Sequence, residues 1–201
     1  MDLIYNNHLP TGRMEKEIRL KQKAKVIWLT GLSGSGKTTL GLGLEKELYR
    51  MGYFVQMLDG DLIRHGINNN LSFSVEDRTE NIRRIAEVSK LFMNCGIITI
   101  DCFISPTRKI RAMARDIIGK DDFLEIYLDA PLNVCEERDV KGLYARARKG
   151  EIPDFTGITS PYEPPDHPAL VINTFKTGIA ETISRSLQYI LPHIKFSEES
   201  V

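Results

Sequence analysis

Residues 31–38 read GLSGSGKT, a glycine-rich segment that ends in a lysine and a hydroxyl side chain. This is the spacing G-x-x-x-x-G-K-[ST] of a phosphate-binding loop, provided that a strand precedes it and a helix follows it. The glycines allow the chain to curl so that successive backbone N–H groups face one anion. The lysine can reach the outer phosphates, and the hydroxyl group can bind Mg²⁺. A chance Gly/Ser turn would have to reproduce all of these features together, so the segment predicts a nucleotide site.

The motif identifies a nucleotide but not a reaction, because switch GTPases, ATPase motors and small-molecule kinases share it. The chain has no N-K-x-D sequence of the kind that reads guanine, and its 201 residues are few for a switch protein. An ATP-dependent enzyme with Mg²⁺ as cofactor is therefore favoured. The run predicted to bind ATP is Gly31, Leu32, Ser33, Gly34, Ser35, Gly36, Lys37, Thr38 and Thr39. Lys37 is the predicted catalytic cation, and Thr38 is a predicted magnesium ligand.

Two carboxylates, Asp59 and Asp61, come directly after a second predicted strand. An open α/β sheet presents its binding crevice at this end of its strands. A carboxylate there can order a Mg²⁺-bound water or accept the proton of an attacking hydroxyl group. Asp-Gly-Asp is also a common turn sequence. Its position beside a phosphate-loop strand favours the functional interpretation.

Planar polar side chains follow these carboxylates. Arg64 lies three residues after Asp61, and Arg78 and Asn81 lie three apart at the start of the next predicted helix, on one face. Together they would offer multidentate donors to an anion, aided by a helix N-terminus. Phe73, in the polar loop between them, could stack on a base. Core packing of Phe73 and an ordinary arginine-rich helix explain the same residues, so chemistry alone leaves both interpretations open.

The elements that must position these residues alternate between strand and helix. Strands are predicted at 26–30, 53–58, 97–104, 123–129 and 169–174, and helices at 37–50, 77–94, from 106, from 131 and at 178–191. Such alternation implies right-handed crossovers and a parallel sheet covered on both faces. The predicted fold class is therefore α/β, a three-layer P-loop NTPase fold with a five-stranded parallel sheet and a mobile lid.

Local signals refine these elements. Asp77, with Glu80 three residues later, predicts the N-cap of the helix that runs to Asn94. Gly41 and Gly43 weaken their helix, and close packing against the sheet would explain them.

Two segments stand apart from the alternating elements. Residues 1–24 are polar and charged, which predicts a solvated lead-in with a short helix over 15–23, ahead of a kinase domain at 25–201. Residues 139–168 are rich in Gly, Pro and charge and show little sheet or long-helix pattern. A gap of that length in a compact domain is typical of a functional lid, although a disordered insertion is the alternative. The aromatic residues Tyr144, Phe155 and Tyr162 favour a binding loop.

Composition excludes several classes of partner. Lys plus Arg equals Asp plus Glu at 27 each, so no global field draws the protein to nucleic acid or an anionic membrane. No segment approaches the ~20 apolar residues of a membrane span, and the amino terminus lacks a secretory signal, which predicts a cytoplasmic protein. Cys95, Cys102 and Cys135 lie in apolar stretches and form no C-x-x-C pair, so we expect three buried free thiols.

Six blocks in this order resemble the adenylylsulfate kinase family: GLSGSGKTT, LDGDLIRHGIN, FSVEDRTENIRRIAEVSKLF, FISPTR, VCEERDVKGLYARARKGEI and FTGITSPYEPP. The resemblance runs from about residue 25 to about residue 174. It implies transfer of the γ-phosphoryl group of MgATP to the 3′-hydroxyl of adenosine 5′-phosphosulfate (adenylyl sulfate, APS). The products would be 3′-phosphoadenylyl sulfate (PAPS) and ADP.

The resemblance also implies roles for individual residues. Asp61 would be catalytic and order Mg²⁺ or activate the acceptor hydroxyl, and Arg138 would pack on the ATP adenine near Thr174. Phe73 and Phe155 would sandwich the APS adenine. The residues implied to bind APS are Asp59, Arg64, Phe73, Arg78, Asn81, Ile104, Ser105, Lys141, Gly142, Leu143 and Phe155. Of these, Lys141, Gly142 and Leu143 would belong to the lid.

Ser105 has a disputed role, because descriptions of the family often make the serine of this Ser-Pro step a phosphoserine intermediate. It therefore stands among the candidate catalytic residues. Direct in-line transfer needs no such intermediate, and no neighbouring base is evident in the sequence. The stretch Asp101-Cys102-Phe103 before it departs from the small, apolar residues usual in the family.

Three alternatives to this function stay open at the sequence level. One is a kinase of the same build that acts on another nucleotide-linked acceptor, such as a cytidine diphosphate derivative. Another is a nucleotide-binding regulator without useful transfer. A nucleic-acid kinase is disfavoured by the zero net charge. The resemblance also makes a homodimer a candidate assembly.

Overall fold

Five short apolar runs form parallel strands in a computed structural model, which describes residues 11–197. The strands are β1 (Val26–Thr30), β2 (Val55–Asp59), β3 (Ile98–Cys102), β4 (Phe123–Asp129) and β5 (Leu170–Asn173). The helices are α1 (Arg13–Leu20), α2 (Lys37–Arg50), α3 (Gly60–His65), α4 (Val75–Asn94), α5 (Arg108–Ile118), α6 (Leu132–Arg138), α7 (Leu143–Arg148) and α8 (Ile179–Ile194). The strand order in the sheet is β2-β3-β1-β4-β5, which places β1 at the centre.

Alternation along β1 divides the core into two layers. Ile27 and Leu29 pack with residues of α2 and α8, whereas Val26 and Trp28 pack with residues of α4 and α5. Successive side chains of a strand point to opposite faces of the sheet, so both faces of β1 are apolar and buried. The predicted fold class, three layers around a five-stranded parallel sheet, is confirmed.

The predicted bounds 26–30, 37–50 and 123–129 agree with β1, α2 and β4. Strand β2 begins two residues later than predicted, because Tyr53 N–H bonds the Leu48 carbonyl and Phe54 N–H bonds the Gln22 side chain instead of a neighbouring strand. The first helix begins and ends earlier than the predicted 15–23. Residues 1–10 of the predicted lead-in lie outside the described part of the chain.

The start of α4 corrects the sequence prediction. Its N-cap is Ser74, whose hydroxyl accepts a hydrogen bond from Asp77 N–H, so Asp77 lies inside the first turn. Glu80 pairs instead with Arg83 and Arg84. Both serine and aspartate are good N-caps, and the local pattern alone did not separate the two starts.

The two glycines of α2 have different packing partners. A Cβ on Gly41 would lie 2.5 Å from Cys102 Sγ of β3, so this glycine permits the close approach to the sheet that was predicted. A Cβ on Gly43 would collide with Ile183 of α8. The second glycine therefore serves a helix–helix contact, and its predicted sheet contact is wrong.

The cysteine prediction holds for two of the three thiols. Cys102 and Cys135 are buried, whereas Cys95 is exposed, which contradicts the expected burial. Cys95 forms the C-cap of α4, at the very end of the helix. All three are free thiols, as predicted.

The segment after α1 is tied to the rest of the fold. Gln22 is completely buried and its amide donates to the carbonyls of Phe54 and Gly96. Arg13 donates to both carboxylate oxygens of Asp122, at 2.6 and 2.9 Å. Within residues 11–197, no helix has the length and apolar character needed to cross a bilayer.

An acidic side chain lies in the core between β3 and α4. Asp101 is completely buried, and its Oδ2 accepts a hydrogen bond of 2.5 Å from the Ser89 hydroxyl. Burial raises the pKa of Asp101 to about 7, from an ordinary value of 3.8. The folded state therefore holds this proton at pH values where the unfolded chain has lost it, so stability falls as pH rises from about 4 to about 7.

We predict that Asp101→Asn abolishes the loss of folding stability with rising pH, because an amide does not ionise in this pH range. The measurement is the free energy of unfolding of variant and parent in urea at pH 5 and at pH 8. The parent should lose stability between pH 5 and pH 8, and the variant should not, so the difference between them should shift in favour of the variant. The expected relative gain is on the order of 2 kcal/mol, from the upward shift of the pKa. Asp116→Asn, at an exposed position of α5, is the control. A stability difference that stays constant with pH would contradict the assignment.

Candidate active site

The phosphate loop, residues 31–38, forms the turn between β1 and α2 at the carboxyl end of the central strand. Gly31, Gly34 and Gly36 have positive φ angles of 152°, 75° and 100°, which residues with side chains rarely adopt. A Cβ on Gly31 would lie 2.7 Å from the Leu128 carbonyl oxygen of β4. The three glycines of the motif therefore lie where the backbone conformation disfavours any residue with a side chain.

Lys37 begins α2 and is folded back onto this loop. Its Nζ donates to the carbonyl oxygens of Gly31, at 2.9 Å, and Leu32, at 2.7 Å. The side chain is nearly buried, and the loss of solvent lowers the pKa of Lys37 to about 8. A buried ammonium group with carbonyl partners favours an anion close by.

The far side of the loop is held by groups outside the motif. Arg138 donates from Nη1 to the Gly34 carbonyl, at 3.1 Å, and from Nη2 to the Thr174 carbonyl, at 2.8 Å. Thr174 in turn donates from Oγ1 to the Ser35 carbonyl, at 2.9 Å. Arg138 and Thr174 therefore lie together at the loop, and the implied packing of Arg138 on the ATP adenine stays a prediction.

The two carboxylates after β2 have different partners. Asp59 accepts at Oδ2 from the Thr38 hydroxyl, at 2.7 Å, and at Oδ1 from Asp61 N–H, at 3.0 Å. The Asp61 carboxylate forms an ion pair with Lys141 of the predicted lid. Asp59 is buried, whereas the side chain of Asp61 is more than half exposed. Hydroxyl and carboxylate oxygens are the ligands that Mg²⁺ prefers, so the chemistry of this set fits that ion.

Arg64 and Arg78 converge on one ring. Their Cζ atoms lie 4.4 and 5.5 Å from the centroid of Phe73, which is half exposed. Arg64 also donates to the Ser72 carbonyl at 2.9 Å, and Arg78 donates to the Asp154 carbonyl of the lid at 2.7 Å. Partial burial lowers the pKa of both arginines.

Asn81 and Phe155 are both buried, unlike the half-exposed Phe73. The Asn81 side-chain oxygen accepts from the Asn68 amide at 2.9 Å. Phe155 packs edge-on against Tyr144, with ring centroids 5.0 Å apart, in a small apolar cluster that joins segment 139–168 to α6. The predicted sandwich of Phe73 and Phe155 around an adenine stays a prediction.

Ser105 lies in the turn after β3, with a positive φ of 41° and 1% exposure. Its hydroxyl oxygen accepts from Trp28 Nε1 at 3.0 Å and lies 3.2 Å from Thr30 Oγ1. The Thr30 hydroxyl donates to the Ile104 carbonyl at 2.8 Å, and Arg111 donates to the Ser105 carbonyl at 2.7 Å. The hydroxyl and the carbonyl of Ser105 therefore already have hydrogen-bond partners. None of these partners is a base that could activate the hydroxyl as a nucleophile.

Arg111, which the sequence reasoning missed, connects this turn to the end of the lid. It is 3% exposed, pairs with Glu125 of β4 at 2.9 Å and donates to the Glu163 carbonyl at 2.6 Å. Its guanidinium group also lies 5.7 Å from the ring centroid of Tyr162. The apolar spacing of α5 gave no sign of a buried arginine, because its partners come from distant segments.

A cavity of about 980 Å³ joins these groups. The residues predicted to bind ATP or the acceptor line this cavity, except Gly31, Leu32 and Gly142. Thr177 and Thr182, after β5, also line it and were not predicted. Their only signal was position, since they follow the carboxyl end of a strand.

The segment 139–168 covers part of this cavity and contains one short helix, α7. Gly142 is the N-cap of α7 with a φ of 64°, which explains a glycine there even though it does not line the cavity. Val140, beside it, is 86% exposed. The segment therefore combines anchored residues with an exposed rim.

Comparisons with known proteins decide the family. The family model for Adenylylsulphate kinase matches residues 23–173. The chain belongs to the adenylylsulfate kinase family. An adenylyl-sulfate kinase of Bacteroides thetaiotaomicron is 60% identical over 183 residues, 91% of this chain and 91% of the relative. The matched range contains every predicted site residue except Thr174.

Solved structures agree with this family membership. The APS kinase of Mycobacterium tuberculosis in complex with AMPPNP and APS has a TM-score of 0.81 and 43% identity, over 84% of this chain and 98% of that chain. A hexameric APS kinase from Thiobacillus denitrificans has a TM-score of 0.64 and 27% identity, over 89% of this chain and 31% of that one.

We predict that this family member forms no phosphoserine at Ser105 during turnover, because the hydroxyl is buried and already hydrogen-bonded. Incubation with γ-labelled ATP and Mg²⁺, without acceptor, should leave the peptide that contains Ser105 unlabelled by mass spectrometry. The Ser105→Ala variant controls for label at other residues. A label on Ser105 that is lost when acceptor is added would contradict the prediction.

Proposed function

We propose that this protein is an adenylylsulfate kinase, which transfers the γ-phosphoryl group of MgATP to the 3′-hydroxyl of APS and releases PAPS and ADP. The observation that carries the proposal is that two cationic groups of residues open into one cavity. Lys37 and the phosphate loop line one part, and Arg64 and Arg78 line another. This arrangement suits two anionic substrates bound together, and membership of the family supports their identity.

In this proposal the phosphate loop binds the ATP phosphates through its backbone N–H groups, and Lys37 exchanges its carbonyl partners for phosphate oxygens. The exchange is favourable because charged oxygens are stronger acceptors than carbonyls. Thr38 and Asp61 would hold Mg²⁺, with Asp59 fixing the Thr38 hydroxyl. When bound, Mg²⁺ would neutralise charge on the β- and γ-phosphate oxygens.

On the acceptor side, Arg64, Arg78 and Asn81 would bind the phosphosulfate group, with Phe73 and Phe155 against the adenine. The two arginines bear carbonyl partners at present, so an anionic ligand would replace weaker acceptors with stronger ones. Asp61 would orient the 3′-hydroxyl group and accept its proton as the O–P bond forms. Its ion pair with Lys141 compensates the carboxylate charge before the substrates bind.

The lid, for which we propose residues 139–168 of a kinase domain spanning 25–201, would exclude water from the transferring phosphoryl group. Exclusion matters because hydrolysis competes with transfer. Lys141 and Leu143 line the cavity from this segment. Small-molecule substrates, a cytoplasmic location and a homodimer complete the proposal, and light scattering of the purified protein would test the assembly.

An acceptor panel tests the proposed function. With MgATP, APS should stimulate ADP formation and yield a product that mass spectrometry identifies as phosphorylated at the 3′-oxygen. Cytidine diphosphate derivatives and other nucleotides should give rates near background. Rapid turnover with another acceptor and none with APS would sink the proposal, and ATP binding without any acceptor-dependent turnover would favour a regulator.

We predict that Lys37→Ala lowers the APS-dependent rate by about 100-fold or more, because it removes the buried cation that stabilises the transferring phosphates. The measurement is kcat/KM for ATP under saturating acceptor. Lys46→Ala, at an exposed position of the same helix, is the matched control and should be unaffected. Near-normal turnover of the Lys37 variant would show that the loop has another role.

We predict that Arg78→Lys raises the KM for APS roughly tenfold and leaves the KM for ATP within twofold. Lysine cannot reproduce the planar, multidentate contacts of a guanidinium group, and charge-assisted hydrogen bonds are worth about 1.5–3 kcal/mol. Arg83→Lys, on the exposed side of the same helix, is the control. Equal changes in the two KM values would argue against a specific acceptor role.

A further inference from the structure

Tyr144 connects the lid to the phosphate loop. It is 2% exposed, and its hydroxyl donates a hydrogen bond of 2.9 Å to the Ser33 carbonyl oxygen, 111 residues away in the sequence. The sequence pattern marks Tyr144 only as one of several aromatic residues in the lid. Its contact with the loop gives it a defined place in the site.

The geometry of a trans peptide makes this contact relevant to anion binding. The carbonyl of one residue and the N–H of the next point in opposite directions across the planar peptide unit. A donor on the Ser33 carbonyl therefore directs the Gly34 N–H away from Tyr144. Gly34 lines the cavity, and a Cβ added at Gly34 would lie 3.0 Å from the Cys135 carbonyl oxygen. Rotation of this peptide unit would thus change which groups the loop offers to a phosphate.

Tyr144 is itself held in place. The Asp139 carboxylate accepts from the backbone N–H groups of Tyr144 and Ala145, both at 3.0 Å. The Tyr144 ring packs edge-on against Phe155. Burial raises the pKa of Tyr144, so its hydroxyl stays protonated and keeps its role as donor at neutral pH.

We propose that the Tyr144 hydroxyl is a positioning group for the phosphate loop, which fixes the Ser33–Gly34 peptide and links the lid to the nucleotide-binding side of the cavity. This inference rests on the proposed function in one respect, that the loop binds a nucleoside triphosphate. It does not depend on the identity of the acceptor. Because a phenylalanine would keep the ring that packs on Phe155, loss of the hydroxyl should affect the nucleotide and spare the acceptor.

The variant Tyr144→Phe tests the proposal, because it keeps the ring and removes the donor. Calorimetry with a non-hydrolysable ATP analogue and Mg²⁺ should give about three- to tenfold weaker binding, the effect of one lost hydrogen bond. The KM for ATP should rise by a similar factor, and the KM for APS should stay within twofold. Tyr189→Phe, in α8 and away from the loop, is the matched control and should bind the analogue normally.

A purely structural role would lower the thermal unfolding midpoint of Tyr144→Phe without changing analogue binding at a temperature where the protein is folded. That result would overturn the proposal, as would parallel rises in both KM values.

A second variant keeps the test decisive if Tyr144→Phe folds poorly. Asp139→Ala leaves the hydroxyl in place and removes the anchor of the Tyr144 backbone. If it acts through Tyr144, analogue binding should weaken at a temperature where Asp139→Ala is folded, whatever the fate of Tyr144→Phe. Where both single variants fold, the double variant should weaken binding by less than the product of the two single effects. Normal binding by Asp139→Ala, or fully multiplicative effects, would count against the link. Failure of APS as acceptor would leave these nucleotide-binding results unchanged, so the two proposals can fail separately.

Discussion

Burial of the Lys37 ammonium group is the constraint on which the site depends. Carbonyl oxygens of Gly31 and Leu32 are its close partners, and its pKa is lowered to about 8 because these dipoles do not replace the lost water. Such a group needs a rigid surrounding, since otherwise it would turn out to solvent. β1, buried along its whole length, and α2, which begins at Lys37, supply that rigidity. An anion at the loop would offer the charge that the carbonyls lack.

Much of the fold could be predicted because its signals are local. Strand β1 and helix α2 agree with prediction to the residue, since the glycine-rich turn between them leaves little freedom in where one ends and the other begins. The prediction failed where two local signals competed, or where a packing partner distant in the sequence determined the residue's role. Ser74 and Asp77 are both suitable caps, and Cys95 follows an apolar helix face but lies where that helix ends. Gly43 is explained by α8, more than a hundred residues away.

Most residues of the candidate site could be predicted from the sequence. Their hydrogen-bond partners could be predicted much less well. The motif and the resemblance indicated most of the residues that line the cavity. The loops that follow parallel strands all lie at the carboxyl edge of the sheet, where the binding crevice forms. The hydrogen bonds from Arg138 to Gly34 and from Arg78 to Asp154 join segments distant in sequence. Neither hydrophobic periodicity nor motif spacing predicts such contacts. Arg111 was missed for the same reason.

Arg64 and Arg78, which we propose to bind the acceptor, differ from Lys37 in how their charge is exposed. Arg64 and Arg78 flank Phe73 and bond backbone carbonyls, so two cations lie near each other and partial burial lowers the pKa of each. Two neighbouring guanidinium groups are unfavourable unless an anion or an aromatic face lies between them. The half-exposed Phe73 provides that face now, and a doubly anionic ligand would provide stronger compensation. Since Arg78 also bonds the lid at Asp154, a ligand that competes for this guanidinium group would necessarily act on the lid as well.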